Sequence, residues 1–241
     1  MATSPTVLIL GARGRFGSAA VHAFARAGWR VIAQMRPGAS APAVTPAVPA
    51  HTPAVRWLVH DLADTAGLAA AADGANVVVH ALNPVYTHAA WQREAPVLMD
   101  AAIAVTRALS AASVAAGGGA ATLMLPGNVY NFGEALPSVL HENTPQAATG
   151  VKGRVRIALE SRLQAATHDG RLRAVVIRAG DYFGSGTGAW LDQAIAKDIT
   201  RGRVTWPGPL DVTTPWAYLP DLARSLVQVA QRRDVLPAFD I

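Results

Sequence analysis

Apolar residues along this chain fall into two alternating rhythms. Short unbroken runs of β-branched residues and leucine, with Thr6 to Leu10 (TVLIL) the first, read as strands covered on both faces. Between them apolar residues recur at helical spacing, as with Phe16, Ala20 and Phe24 on a helix that stops at Gly28. Trp29 to Met35 is predicted as a second strand, VRWLVHDLAD as a third ending at Asp61, and NVVVHALNP as a fourth ending near Ala81. A helix is predicted from Ala95 to Ala116, stopped by Gly117, and TLMLPGNVYNFG gives a fifth strand ending near Pro126. Alternating strand and helix imply an α/β fold: a doubly wound parallel sheet with ligands at the carboxyl ends of its strands. The segment Pro37 to Pro53, rich in proline and alanine, fits neither rhythm and is expected to be a mobile surface insertion.

The turn after the first strand carries Gly11, Gly14 and Gly17 in the spacing Gly-x-x-Gly-x-x-Gly. Its place between strand and helix makes it a dinucleotide-binding signal. Gly11 permits the tight turn, Gly14 lets backbone N–H groups approach a pyrophosphate, and Gly17 lets the helix pack on the sheet. The helix N-terminus adds a partial positive charge for the phosphates. An NAD site usually has an acidic residue about 20 positions on, to accept bonds from the ribose 2′-hydroxyl. Here the first Asp or Glu is Asp61, whereas Arg13 and Arg15 lie in the turn and Arg36 ends the second strand. Guanidinium groups suit a 2′-phosphate, so NADP (NADPH) is the expected cofactor.

Composition narrows the choices. The 241 residues suffice for one α/β domain with a small appendage. No unbroken apolar run reaches the roughly 18 residues that span a bilayer, and MATSPTVLIL has no basic region before its apolar stretch, so neither a membrane partner nor a signal peptide is expected. With no cysteine there is no disulfide or thiolate site, and a cytoplasmic location is expected. The formal charge of +5 comes almost entirely from arginine, without basic runs interleaved with aromatics, so no nucleic-acid partner is expected. The seven histidines lack metal-ligand spacing, and no metal site is predicted.

The motifs in order, GARGRFG, HDLAD, VVVHALNP, NVYNFG, VIRAGDYFGSG and WAYLPDLARSL, resemble the short-chain dehydrogenase/reductase superfamily in its extended or atypical branch, also called the NAD-dependent epimerase/dehydratase family. The resemblance covers nearly the whole chain. It implies a Rossmann domain over residues 1–180 and a small C-terminal substrate lobe over 181–241, packed as one unit. It also implies that Phe16, Asp61, Leu62, Ala81, Asn83 and Lys152 join the glycine turn and the arginines in holding the cofactor. In that family a Tyr acts as acid/base, a Lys four residues later supports it, and a Ser or Thr after the fifth strand orients the carbonyl.

This chain departs at all three positions. Its tyrosines, Tyr86, Tyr130, Tyr182 and Tyr218, are followed four residues later by Ala90, Glu134, Gly186 and Leu222. The family's helix aligns best with KGRVRIALE, with Glu160 as anchor, so that Lys152 stands in the Tyr position and Arg156 in the Lys position. The Ser position falls at Pro126 or Gly127. Lys152 is therefore the candidate acid, since like charge and desolvation make catalytic lysines. Tyr130 is the second candidate, and Asn83, Asn128 and Tyr182 are candidate pocket hydrogen-bonding groups. Trp190, Trp206 and Trp216 in the C-terminal part suggest an apolar or aromatic small-molecule substrate. The expected activity is hydride transfer to or from a small organic substrate by an NADP-dependent oxidoreductase. A catalytically silent NADP-binding regulator is the alternative, and a nucleotide-sugar epimerase or dehydratase, which needs the missing Tyr and Ser, is third. Pairing as a homodimer is left open.

Overall fold

The structure, a computed structural model, describes residues 4–42 and 55–241. Seven parallel strands form the main sheet: β1 (Thr6–Leu10), β2 (Arg30–Met35), β3 (Arg56–Val59), β4 (Val77–His80), β5 (Thr122–Asn128), β6 (Arg173–Ala179) and a last strand at Phe239–Asp240. Their order across the sheet is β3, β2, β1, β4, β5, β6 and then that last strand. The reversal between β1 and β4 makes the doubly wound pattern and opens a crevice at their carboxyl ends.

Alternation along each strand divides the core in two. Leu8, Leu10, Val78, Leu123 and Val176 face α2 (Thr65–Ala71), α3 (His88–Ala115) and α4 (Val151–Thr167). Val7, Ile9, Val31 and Val79 face α1 (Arg15–Arg26) and α5 (Leu219–Gln231), which supply Val21, Phe24 and Leu226. Strands covered on both sides have no need of polar alternation, which is why they read as continuous apolar runs.

Several element ends differ from the sequence expectation. The third strand stops at Val59, leaving His60 and Asp61 in the turn beyond it. Helix α3 starts seven residues early, at His88, and runs through Pro96. Thr87 caps it by accepting a bond from the Ala90 N–H at 3.2 Å, and Trp91 is buried on its first turns, so capping and packing outweigh the proline. By length and apolar composition α3 could cross a membrane; its inner face packs on α2 and α4. Strand β5 continues through Pro126 to Asn128. Its pairing with β4 ends at Met124 while pairing with β6 continues to Asn128, so Pro126 removes a donor only where one neighbour is gone. In the expected insertion, residues 37–42 are described as mostly exposed coil, and 43–53 lie outside the described residues.

Beyond β6 the chain forms a small lobe over the strand ends, with a two-stranded sheet of β7 (Asp181–Phe183) and β8 (Trp216–Tyr218). It then returns through α5, packed on α1, to Phe239–Asp240 at the edge of the main sheet, β9.

Candidate functional site

The glycine turn sits at the crevice. Gly11 adopts φ +73, and a Cβ there would stand 2.9 Å from the Ala81 carbonyl oxygen. Only glycine allows both the turn and this approach to the end of β4. The turn is held from below by Gln34, whose Oε1 accepts from the Gly11 N–H at 3.0 Å while its Nε2 donates to the His60 carbonyl at 2.8 Å. Helix α1 then begins without a side-chain cap and without an acidic residue in its first turn. Its first amides, flanked by Arg13 and Arg15, therefore suit an anionic pyrophosphate.

The three arginines separate. Arg13 Nη1 donates to the Ser40 carbonyl at 2.6 Å, which holds it across the segment after β2, and Arg36 is exposed at the end of β2. Arg15 instead reaches the lobe, donating to the Gly184 carbonyl at 3.0 Å. Asp61 is exposed, and its Oδ1 accepts from the Ala63 N–H at 3.0 Å. Leu62 packs against the core, Ala81 is half-buried beside Gly11, and Asn83 is exposed in the loop after β4. Phe16 stacks on Tyr182 with ring centroids 6.2 Å apart. Along the sheet edge these positions follow the order Asp61, Arg36, the glycine turn and Ala81, an extended path suited to a dinucleotide.

At the ends of β4, β5 and β6 a second group collects. Tyr130 lies in a 3₁₀ turn (Val129–Phe132) whose start is fixed by Asn128, the Oδ1 of which accepts from the Tyr130 N–H at 2.9 Å. The Tyr130 hydroxyl donates to Asp181 Oδ1 at 2.5 Å. Burial, the Asp181 carboxylate and neighbouring Tyr86 all push the Tyr130 phenol well above the usual tyrosine range. Helix α4 can begin close by because residue 153 is glycine: a Cβ there would lie 2.3 Å from the Tyr130 carbonyl oxygen. The preceding residue, Lys152, places its Nζ 2.9 Å from the centroid of the Tyr86 ring, in the loop after β4. Tyr86 is 60% exposed, so the ammonium and phenol stand at the mouth of the crevice.

One turn along α4, Arg156 lies over the Trp91 ring at 4.8 Å. Its Nε and His80 Nε2 are buried without a protein partner. Burial first, with the Arg156 charge adding to it, pushes His80 down to about 4, so this imidazole is neutral near pH 7. Burial pushes Tyr182 up to about 12, against the opposing effect of Arg156, and its hydroxyl donates to the Gly127 carbonyl. Glu160 anchors the helix through a buried ion pair with Arg178 of β6, Nη2 to Oε2 at 2.7 Å, and it also accepts from Gln146 Nε2 at 3.1 Å.

Of the candidate catalytic residues, Lys152 and Tyr130 both lie at this edge, but neither was expected beside Tyr86 or Asp181. A Tyr-x-x-x-Lys spacing cannot mark Tyr86, whose lysine comes from another element. Gln34 and Gly153 carry no local sequence signal of their roles, and for Asp181 the local signal is the segment RAGDYFG. Among the described residues no cluster of metal-ligand side chains occurs.

A model of the NAD dependent epimerase/dehydratase family matches residues 7–241. No curated protein sequence matches the chain significantly. Among solved structures the fold is similar to a UDP-glucose 4-epimerase from Brucella ovis in complex with NAD, at 14% identity and TM-score 0.73, covering 98% of this chain and 76% of that one. It is also similar to a UDP-N-acetylglucosamine 4-epimerase from Bacillus cereus (14%, TM-score 0.73, 99% and 78%). A third likeness is to MoeE5 in complex with UDP-glucuronic acid and NAD (21%, TM-score 0.70, 98% and 74%). With nearly its whole length matched by the family model and the glycine turn set at the sheet's reversal, the chain belongs to the NAD-dependent epimerase/dehydratase family, whose cofactor is a nicotinamide dinucleotide.

Proposed function

We propose that the protein is an NADPH-dependent oxidoreductase acting on the carbonyl or alcohol of a small organic substrate, in the cytoplasm and without nucleic-acid or membrane partners. The observation that carries this reading is the group at the strand ends: the Lys152 ammonium against Tyr86, beside a Tyr130 whose proton is held by Asp181. NADPH, when bound, supplies the hydride. With the hydride on the carbonyl carbon, the oxygen must take a proton, and the half-buried Lys152 against the exposed Tyr86 presents exchangeable protons at the crevice mouth. Tyr130 keeps its own proton and positions Asp181, which makes Lys152 the stronger of the two candidates as donor. Arg156, in the position where the family places its lysine, would hold the ribose near the nicotinamide. Arg13 and Arg36 would take the 2′-phosphate, while Arg15 spends its guanidinium on Gly184.

Lys152→Met is expected to lower kcat for NADPH oxidation, screened with aldehydes and ketones, by about 100-fold or more, while changing NADPH affinity less than about threefold, within 0.7 kcal/mol. If the parent binds NADPH and turns over nothing, the enzyme reading is overturned in favour of a silent NADP-binding protein. Titration of NADPH and NADH side by side tests the cofactor, with Arg36→Ala costing NADPH about tenfold, the value of one charge-assisted bond. The UDP-sugar enzymes among the structural neighbours favour a second reading, epimerisation or dehydration of a nucleotide sugar. Pro126 and Gly127 at the hydroxyl position count against it, and UDP-glucose as the sole substrate consumed would establish it.

A further inference from the structure

We propose that one face of the small lobe is a binding shelf for a planar aromatic substrate, set beside the proton-donating group. The chemistry of that substrate rests on the oxidoreductase reading; its binding does not.

The register between β7 and β8 pairs Asp181 with Trp216 and Phe183 with Tyr218. Side chains two apart on a strand share a face, so Asp181, Phe183, Trp216 and Tyr218 stand on one side of this small sheet. Tyr182, on the other, packs toward Phe16 and the glycine turn. The carboxylate that holds Tyr130 therefore begins a row of aromatic rings. Phe183 meets Tyr218 at 5.3 Å and Trp216 edge-on at 6.4 Å. Trp216 stacks on Trp190 at 5.8 Å with planes 17° apart, and Trp206 meets Trp190 at 6.4 Å.

These rings are not simply a buried miniature core. Trp190 is 40% exposed and Tyr218 45%. Among the described residues, ten of the fourteen large exposed apolar side chains, including Val85, Tyr86, Leu136, Val139 and Leu210, lie in the three segments that join β4 to α3, β5 to α4 and β6 to α5, the last of which holds the small lobe. Exposed apolar surface gathered at one edge marks a site that something covers. The parallel Trp190–Trp216 pair shows the face-to-face offset geometry that a flat ring would extend. Two polar groups beside the rings are turned inward to the lobe itself: Trp206 Nε1 donates to the Pro209 carbonyl at 3.0 Å, and Asp192 accepts from the Ala189 N–H at 2.8 Å. An aromatic ketone or benzylic alcohol, with its ring on the shelf, would have its oxygen at the Asp181 end of the row, where the carboxylate meets Tyr130.

The test uses the full chain loaded with NADP⁺, and calorimetric titration with 2-acetylnaphthalene, its decahydronaphthyl counterpart and UDP-glucose. The aromatic ketone is expected to bind about tenfold or more tightly than the saturated one. Trp190→Ala and, separately, Tyr218→Leu are expected to weaken it at least fivefold while leaving NADPH affinity within twofold. Equal affinity for the two ketones, no binding of either, indifference to both substitutions, or tighter binding of UDP-glucose would each overturn the shelf. Turnover is followed separately, with NADPH in place of NADP⁺: aromatic binding without NADPH oxidation defeats the oxidoreductase reading alone, and NADPH oxidation confined to aliphatic ketones defeats the shelf alone.

Discussion

Glu160→Met removes the carboxylate that holds α4 to β6. The Glu160 and Arg178 side chains are 5% and 9% exposed, so neither charge has water to fall back on. Without Glu160 the guanidinium keeps the Phe132 ring, 5.3 Å away, and the Glu142 carbonyl at 3.5 Å, and neither neutralises it. Breaking a buried pair on one side costs about 3–5 kcal/mol. For a chain of this size each kcal/mol moves Tm by about 2–4 °C, so a fall of about 6–20 °C is expected by scanning calorimetry. The double variant Glu160→Met/Arg178→Met buries no charge and is expected to recover most of the loss, giving a large coupling energy in the mutant cycle. Because Lys152 and Arg156 ride on the same helix, the single variant is also expected to lose turnover at temperatures where it is still folded. A Tm change below about 2 °C, or a double variant no more stable than the single, would refute the claim that this pair fixes the helix.

Gly17→Ala places a Cβ 2.4 Å from the Gly11 carbonyl oxygen, and backbone must move. A loss of about 1–3 kcal/mol is expected by urea unfolding. Gly14→Ala meets nothing closer than 3.4 Å, so stability is expected to hold within about 0.5 kcal/mol while NADPH affinity falls; unchanged affinity would mean that no phosphate approaches that backbone. His80, lowered from 6.5 to about 4 in the folded chain, takes up its proton more readily when unfolded, so its contribution is complete above pH 6.5 and is lost as pH falls toward 4. The loss is on the order of 3 kcal/mol, and His80→Asn is expected to flatten the stability profile in that window; an unchanged profile would locate the titration elsewhere. Tyr182 works in the opposite sense: raised to about 12, it contributes below pH 10, and that contribution is lost between 10 and 12, which Tyr182→Phe should abolish in alkaline unfolding curves.

What local order controls was legible in the residues. Thr6–Leu10 and Val77–His80 announce strands because sheets covered on both faces need unbroken apolar runs, and Gly11, Gly14 and Gly17 announce a phosphate turn because only glycine fits its backbone. Those signals, with alternating helices, were enough for the doubly wound parallel sheet and for the family. Element ends were less legible: Pro126 looks like a terminus until β4 is seen to stop before it, and Pro96 looks like a helix start until Thr87 and Trp91 are in place. The candidate site was legible only as a list of residues. Lys152 was visible as a lysine in an unusual position, but its contact with Tyr86 joins two elements, as does the Tyr130–Asp181 bond across 51 positions. No spacing rule reaches that far. The sequence alone determined the strands, the glycine turn and the scarcity of acids near it, because each is a property of neighbours along the chain. Which groups share the strand ends was decided by the order β4, β5, β6 across the sheet, since only that order brings three distant loops to one edge.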